Sequence, residues 1–222
     1  MSPRKNILLV TPTHLELHGM GLLSDHSLHG LEVSVCGFGP VSTAIFLTQA
    51  LLRRRYHMVV LAGLAGAYEG MGVGVGDVCV AQSEVYADMG RCKGMNVEPI
   101  EDANCLRFEL FKAWNASLSS CIQEIIAKGE AKLVNMATVC GVSCSMERAK
   151  LIAARWRVAL ENMEGAAAAQ VCELYGIPLL EVRAVSNLAG DCDRSNWQIQ
   201  SSLKVLSAFL MNLSRNWAVL HE

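Results

Sequence analysis

LENMEGAAAAQVCELYGIPLLEVRAVSNLAGDCDRSNW spans residues 160–197 and holds the decisive pattern of the chain. Asn162–Tyr175 reads as a helix, opening at a polar Asn-Met-Glu corner and running through four alanines, the best of helix formers. Gly176 and Pro178 supply the stop, a glycine just past the helix and a proline after it. Leu179–Val185 is then an apolar run with one arginine inside, Arg183. A short run of that kind after a helix predicts a strand of a covered parallel sheet. The chain turns polar at Ser186 and Asn187. Ligands of open α/β sheets bind outside the carboxyl ends of the strands. Glu164 at a helix start and Asn187 at a strand end are therefore expected to face one pocket.

Outward from that stretch, composition narrows the class. The chain has 222 residues, 52% hydrophobic and 18% charged, enough for a sizeable core and unlike a disordered segment. A net charge of −2 with no basic block argues against a nucleic-acid surface and leaves room for a small neutral ligand. No run of about twenty apolar residues occurs, so no membrane span is expected. The apolar run of MSPRKNILLV is short for a signal peptide and reads better as the first strand. Nine cysteines, an odd count without a secretory signal, predict reduced and mostly buried thiols in a cytoplasmic protein. Cys140 and Cys144 lack a second pair at metal-like spacing and read as structural.

Toward the N-terminus, Asn6–Val10 reads as a buried strand leading into TPTHLE, with Glu16 just past the sheet edge. Taken by itself, Glu16 suits the dipole of a helix start. His14 and His18 share i,i+4 spacing but have no acidic third ligand, so no metal is expected. Leu31–Cys36 is a second strand, and GFGPVSTA enters a helix to about Arg54. A dinucleotide fold wants an acid at the end of the following strand. Here Met58–Ala62 runs straight into GLAGAY, whose Gly63, Gly66 and Ala67 let a sugar approach the backbone. Val78–Glu84 is the fourth strand. Tyr86–Asn104 has no clean period and reads as a long loop, either a surface insertion or a wall for the non-base part of a ligand. Leu106–Ile126 is expected to be an amphipathic helix. Leu133–Ser143 contains a strand with a polar mouth at 141–145, and Ser145 caps the next helix. Gln198–Trp217 carries a packing stripe. The expected architecture is one α/β domain over residues 1–222, with a central mixed, mostly parallel sheet flanked by helices.

ENMEGAAAAQVC followed by VRAVSN resembles the nucleoside phosphorylase and nucleosidase superfamily, whose members cleave or exchange the N-glycosidic bond of nucleosides. Within it, VRAVSN and the GD-C-DRSNW continuation resemble the futalosine hydrolase family. The likeness extends over most of the chain. It implies that Glu16 activates the attacking water, that Arg183 lies near that nucleophile, and that loop 141–145 touches the base, with Ser143 and Cys144 as candidates. It implies a homodimer or larger homo-oligomer, a small-molecule nucleoside as partner, and neither cofactor nor metal. Where methylthioadenosine nucleosidases have a small hydroxyl residue, this chain has Leu64, which cannot hold a water by its side chain.

Cleaving a purine–ribose bond requires a neutralised leaving base, a stabilised cationic sugar and a placed nucleophile. The Asn187 amide can donate to N7 or O6 of a 6-oxopurine, whereas an aspartate there suits a 6-aminopurine. Glu164 can accept from ribose hydroxyls and stabilise positive charge, Met163 can pack on the sugar with Gly66 against it, and Glu16 can act as general base. Phosphorolysis needs an anion site, and TPTHLELHG contains no Arg or Lys, which favours water as nucleophile. The resemblance implies hydrolysis of futalosine to hypoxanthine and dehypoxanthine futalosine, in menaquinone biosynthesis. The alternatives are methylthioadenosine/adenosylhomocysteine nucleosidase, purine nucleoside phosphorylase, and a non-catalytic nucleoside-binding protein. The joint presence of Glu16, Glu164 and Arg183 argues against the last.

Overall fold

The computed structural model of the chain describes residues 6–21, 31–99 and 106–214. Its strands are β1 (Ile7–Thr11), β2 (Leu31–Val35), β3 (Met58–Ala67), β4 (Val78–Tyr86), β5 (Arg91–Lys93), β6 (Asn96–Glu98), β7 (Arg107–Glu109), β8 (Lys132–Thr138), β9 (Leu160–Asn162) and β10 (Leu179–Leu188). Its helices are α1 (His14–Gly19), α2 (Gly39–Arg53), α3 (Ala116–Ala127), α4 (Met146–Trp156), α5 (Gly165–Tyr175) and α6 (Ile199–Ser214).

The sheet is mixed, and it differs from a simple flanked sheet. β10 pairs with both β3 and β4, so the order β10-β4-β8-β9-β3 closes back on β10 as a ring. Closure leaves those five strands without a free edge. β1 and β2 extend the sheet from β3, all in parallel. The β3–β9 and β4–β10 pairs are antiparallel, whereas β3–β10, β4–β8 and β8–β9 are parallel. Helices cover both faces. One face packs Leu118 and Ile122 of α3 and Leu203, Leu206 and Leu210 of α6 on β1, β3 and β10. The opposite face packs Leu47 and Leu51 of α2 and Ala168 and Cys172 of α5. The four alanines of α5 are almost fully buried, which explains their size: larger side chains would hold the helix off the sheet.

Several boundaries depart from the expectations. α5 begins at Gly165, because Leu160–Asn162 is recruited as β9 between β3 and β8. Its end is as expected, with Gly176 left-handed at φ 63°. β3 runs on through Gly63 and Gly66 rather than stopping before a glycine loop. Residues 106–126 are a strand, β7, then a 3-10 turn, then α3. Phe108, Phe111 and Trp114 recur at helical spacing, yet Phe108 lies in β7 and Trp114 donates from Nε1 to the Leu179 carbonyl across the fold. The 86–104 segment folds back as the β5–β6 hairpin, with residues 100–104 outside the described residues. Of the last expected helix, residues 215–217 lie outside them too.

Cys144 and Cys192 form a disulfide, with Cα atoms 4.9 Å apart. This corrects the reading of Cys144 as a reduced structural thiol. The turns after β8 and β10 meet, as the hydrogen bond from Gly190 N to Ser143 O shows, and bring together two cysteines 48 residues apart. Cys36, Cys79 and Cys172 are free and buried, and burial pushes their thiols up to about 12. Among the described residues, no helix is long and apolar enough to cross a membrane.

Candidate active site

A cleft of about 320 Å³ opens where β1, β3 and β10 end, and Glu16, Met163, Glu164, Asn187 and Gly66 line it. A cleft of that size outside strand ends suits a small ligand. Each lining residue is delivered by a different backbone device.

Glu16 sits in the first turn of α1, whose cap is Thr13. The Thr13 hydroxyl donates to Glu16 Oε2 at 2.6 Å, and the Leu64 backbone N–H donates to Oε1 at 3.0 Å. Leu64 thus serves through its main chain, where its side chain offers nothing polar. Burial pushes the Glu16 carboxyl above its usual range, and the Thr13 and Leu64 hydrogen bonds and the Arg183 charge only temper the rise.

Glu164 stands at the N-cap position of α5. Its Oε1 accepts from the Gly39 backbone N–H at 3.1 Å, and its Oε2 pairs with Arg183 Nη1 at 3.2 Å. Asn162 sets its backbone: Asn162 Oδ1 accepts from Glu164 N and Gly165 N at 2.9 and 2.8 Å. Arg183 therefore lies beneath the cleft rather than on its wall. It is fully buried, its Nε donates to Glu181 Oε1 at 2.8 Å, and its Nη2 donates to Asn162 Oδ1 at 3.1 Å. Burial works against its charge, but Glu181 and Glu164 hold it protonated.

Register explains the glycines. Arg183 lies opposite Gly63, and Asn187 opposite Gly66 across a bulge after Val185. A Cβ on Gly63 would come within 2.8 Å of both Arg183 Nη1 and Glu16 Oε1. The space at Gly63 is thus taken by protein side chains, which corrects the reading of it as room for a sugar; Gly66 does face the cleft. Arg183 and Glu16 come together at that point.

At Asn187, Ser186 Oγ donates to Oδ1 at 2.8 Å. Nδ2 gives one N–H to the Leu188 carbonyl at 3.1 Å, and an amide carries two. Ser186 thus engages one lone pair of Oδ1, and one Nδ2 hydrogen has no partner among the described residues.

Two expected base contacts do not reach the cleft. Ser143 is buried with its N and Oγ on Glu161 at 2.9 and 2.6 Å, and Cys144 is in the disulfide. Val142 of the same loop lines the cleft instead. The described residues of the 86–104 segment do not line it either; β6 packs on α4. His14 and His18 lie with ring centroids 6.0 Å apart, and no group of three His, Cys, Asp or Glu arranged to hold a metal exists among the described residues.

Phe38, Glu161, Arg194 and Trp197 are among the lining residues that escaped the sequence reading. Glu161 accepts from Tyr68 Oη at 3.0 Å as well as from Ser143. The Arg194 guanidinium lies 5.7 Å from the Trp197 ring. The signal for this pair was in view, in the DRSNW run, but nothing local says that the run folds back over the cleft.

Residues 14–215 match the model of the phosphorylase superfamily. The chain belongs to that superfamily. Among curated members, it is 33% identical to the futalosine hydrolase of Thermus thermophilus, over 93% of this chain and 94% of that one. It is 30% identical to the 5'-methylthioadenosine/S-adenosylhomocysteine nucleosidase of Chromohalobacter salexigens, over 73% and 70%. Among solved superfamily structures, the native futalosine hydrolase of Helicobacter pylori superposes with a TM-score of 0.80 at 19% identity, covering 96% of this chain and 98% of that one, a likeness of fold. The superfamily model spans the first-strand glutamate region, the Glu164 corner and the Asn187 strand end alike.

Proposed function

We propose that this protein, read as one nucleosidase domain over residues 1–222, hydrolyses the N-glycosidic bond of futalosine, releasing hypoxanthine and dehypoxanthine futalosine in menaquinone biosynthesis. The observation that carries the substrate class is the Asn187 amide, whose oxygen is engaged by Ser186 while an N–H is left to give. A donor at that point matches N7 or O6 of a 6-oxopurine. The similarity to futalosine hydrolases over nearly the full chain supports the same reading.

In this reading a water lies between Glu16 and the sugar. Its oxygen bonds to C1' as the C1'–N bond breaks, and the bonding electrons leave with the purine. Glu16 takes the water's proton, and its raised pKa makes it a stronger base once ionised. Asn187 stabilises the departing purine by hydrogen bond, and the purine takes its proton from solvent. Glu164, anchored by Gly39 and Arg183, keeps lone pairs for the ribose hydroxyls and stabilises the cationic sugar. Met163 packs on the sugar. Phe38, Trp197 and Arg194 receive the non-base end at the mouth. TPTHLELHG carries no Arg or Lys to hold phosphate, which favours water as the nucleophile. We read the enzyme as cytoplasmic and as a homodimer or larger homo-oligomer.

Release of free base from futalosine, inosine and methylthioadenosine, with and without phosphate and chelator, tests this. Futalosine is expected to have the highest kcat/KM, with no need of phosphate or metal. Preference for methylthioadenosine would make the protein an adenine-type nucleosidase, and ribose 1-phosphate as product from inosine would make it a phosphorylase.

A further inference from the structure

Beneath the cleft lies a second pair of carboxyl groups that the reaction above does not use. Glu84 of β4 and Glu181 of β10 are both fully buried. Glu84 Oε2 accepts from the Thr138 hydroxyl at 2.8 Å. That hydroxyl oxygen itself accepts from Ala166 N at 2.7 Å, so its hydrogen points to Glu84. Glu84 Oε1 accepts from Asn162 Nδ2. Glu181 Oε1 accepts from Arg183 Nε, but Glu181 Oε2 is buried without a hydrogen-bond partner. The missing partner is next to it: Glu84 Oε1 and Glu181 Oε2 converge on the one point where a Cβ of Gly165 would stand. Two carboxylate oxygens meeting in a dry interior repel, and one proton between them turns the contact into a strong hydrogen bond.

We propose that Glu84 is a neutral carboxylic acid that donates from Oε1 to Glu181 Oε2, and that this pair acts as a positioning device holding Arg183, and through it Glu164, in place. The proton belongs on Glu84 because Glu181 already faces the Arg183 cation, whereas Glu84 meets only the neutral Thr138 and Asn162. Burial and the neighbouring Glu181 push the Glu84 carboxyl well up, and burial raises Glu181 against the pull of Arg183, so the pair retains a proton. The other ionisable groups acting on the pair are Glu164, Tyr68 and Tyr86, with Arg183 the cation between them. Gly165 is the residue that makes the arrangement possible, since any side chain there would fill the meeting point.

The positioning role rests on the proposed use of Glu164, so the test has a readout that does not depend on substrate. Infrared spectra of the full chain at pH 8 are expected to show the C=O stretch of a neutral carboxyl group, shifted in D2O, retained in Glu16→Gln and missing in Glu84→Gln. Absence of the band in the unmodified protein, or its loss in Glu16→Gln instead, overturns the assignment without touching the substrate reading. For the second half, Glu84→Gln can still donate to Glu181 but turns that donor against Asn162 Nδ2, and its kcat is expected to fall less than that of Glu84→Leu. Glu84→Leu cannot donate, and kcat is expected to fall about tenfold or more with KM little moved, as Glu181 and Arg183 shift under Glu164. An unchanged kcat in folded Glu84→Leu removes the positioning role. Should that variant not fold, the alkaline limb of the unmodified protein decides. kcat must fall as the infrared band disappears, and a kcat that stays flat through that loss overturns the proposal.

Discussion

The floor and the mouth of the cleft are built on opposite terms. At the floor Glu16, Glu161, Glu164 and Asn187 are nearly sealed from water, and neighbours on a helix start, a loop and two strands hold them. At the mouth Phe38 is 63% exposed and Leu15 51%, and Arg194 sits in a short 3-10 turn over Trp197. A sealed floor keeps charged groups at strength and in place, which bond cleavage demands. An open, apolar mouth with one cation can select a substituent without taking part in chemistry. Substitutions at the floor should therefore act on kcat and those at the mouth on KM.

The largest effect is expected from Glu16→Ala, which removes the proposed base: kcat falls by about 10²–10⁴-fold with the fold intact. An unchanged rate would return Glu16 to the role of a helix-start residue. Glu164→Gln comes next, with kcat down about 10²–10³-fold in the same base-release assay. If KM rose instead, the floor would be a binding surface and the contrast with the mouth would fail.

The pH profile sharpens the same contrast. Because burial raises the Glu16 pKa above 4.5, kcat/KM should climb with pH through a value above the ordinary carboxylate range. The sign for stability is opposite. Folded Glu16 holds its proton more tightly than the unfolded chain does. Its contribution to stability is thus complete below the unfolded pKa and is lost as pH rises through the folded one. Thermal melts across that window, with and without Glu16→Gln, measure it. An acid limb at or below 4.5 would show the carboxyl to be solvated.

Asn187→Asp should act on selectivity more than on rate. Hydrolysis of hypoxanthine nucleosides is expected to weaken by about tenfold or more, and the relative rate with methylthioadenosine to rise. If preference does not move, Asn187 is not the base selector. The smallest effect is expected at Arg194→Ala, where KM for futalosine rises a few-fold, about 1 kcal/mol, and that for inosine stays put. A matching fall in kcat would merge mouth and floor.

The sequence and the structure agree best where physics is local. The Gly176 stop, the Ser145 cap and the buried β1, β3 and β10 runs follow from backbone propensity and apolar pattern, and all are present. The 106–126 segment misled because its aromatics repeat at helical spacing while being shared out among a strand, a turn and a cross-fold hydrogen bond. Likewise Ser143 looked like a free polar group at a strand mouth, and only the proximity of Glu161 shows that its hydrogen bonds are already used.

What the chain determined by itself was which residue types stand at strand ends and helix starts: Glu16, Glu164 and Asn187, and an arginine inside an apolar run that had to find a carboxylate. Its partners could not be read from spacing. Glu164 and Arg183 are 19 residues apart, Glu16 and Leu64 are 48 apart, and Gly39 and Glu164 are 125 apart. Pairing across such separations is set by strand order and register, which follow from how β10 closes the ring between β3 and β4. Closure also decided that Gly63 makes room for Arg183 rather than for a ligand, and that the 191–197 turn comes back over the cleft with Arg194 and Trp197. Side-chain chemistry is a property of the residue, but the neighbours that tune it belong to the packing.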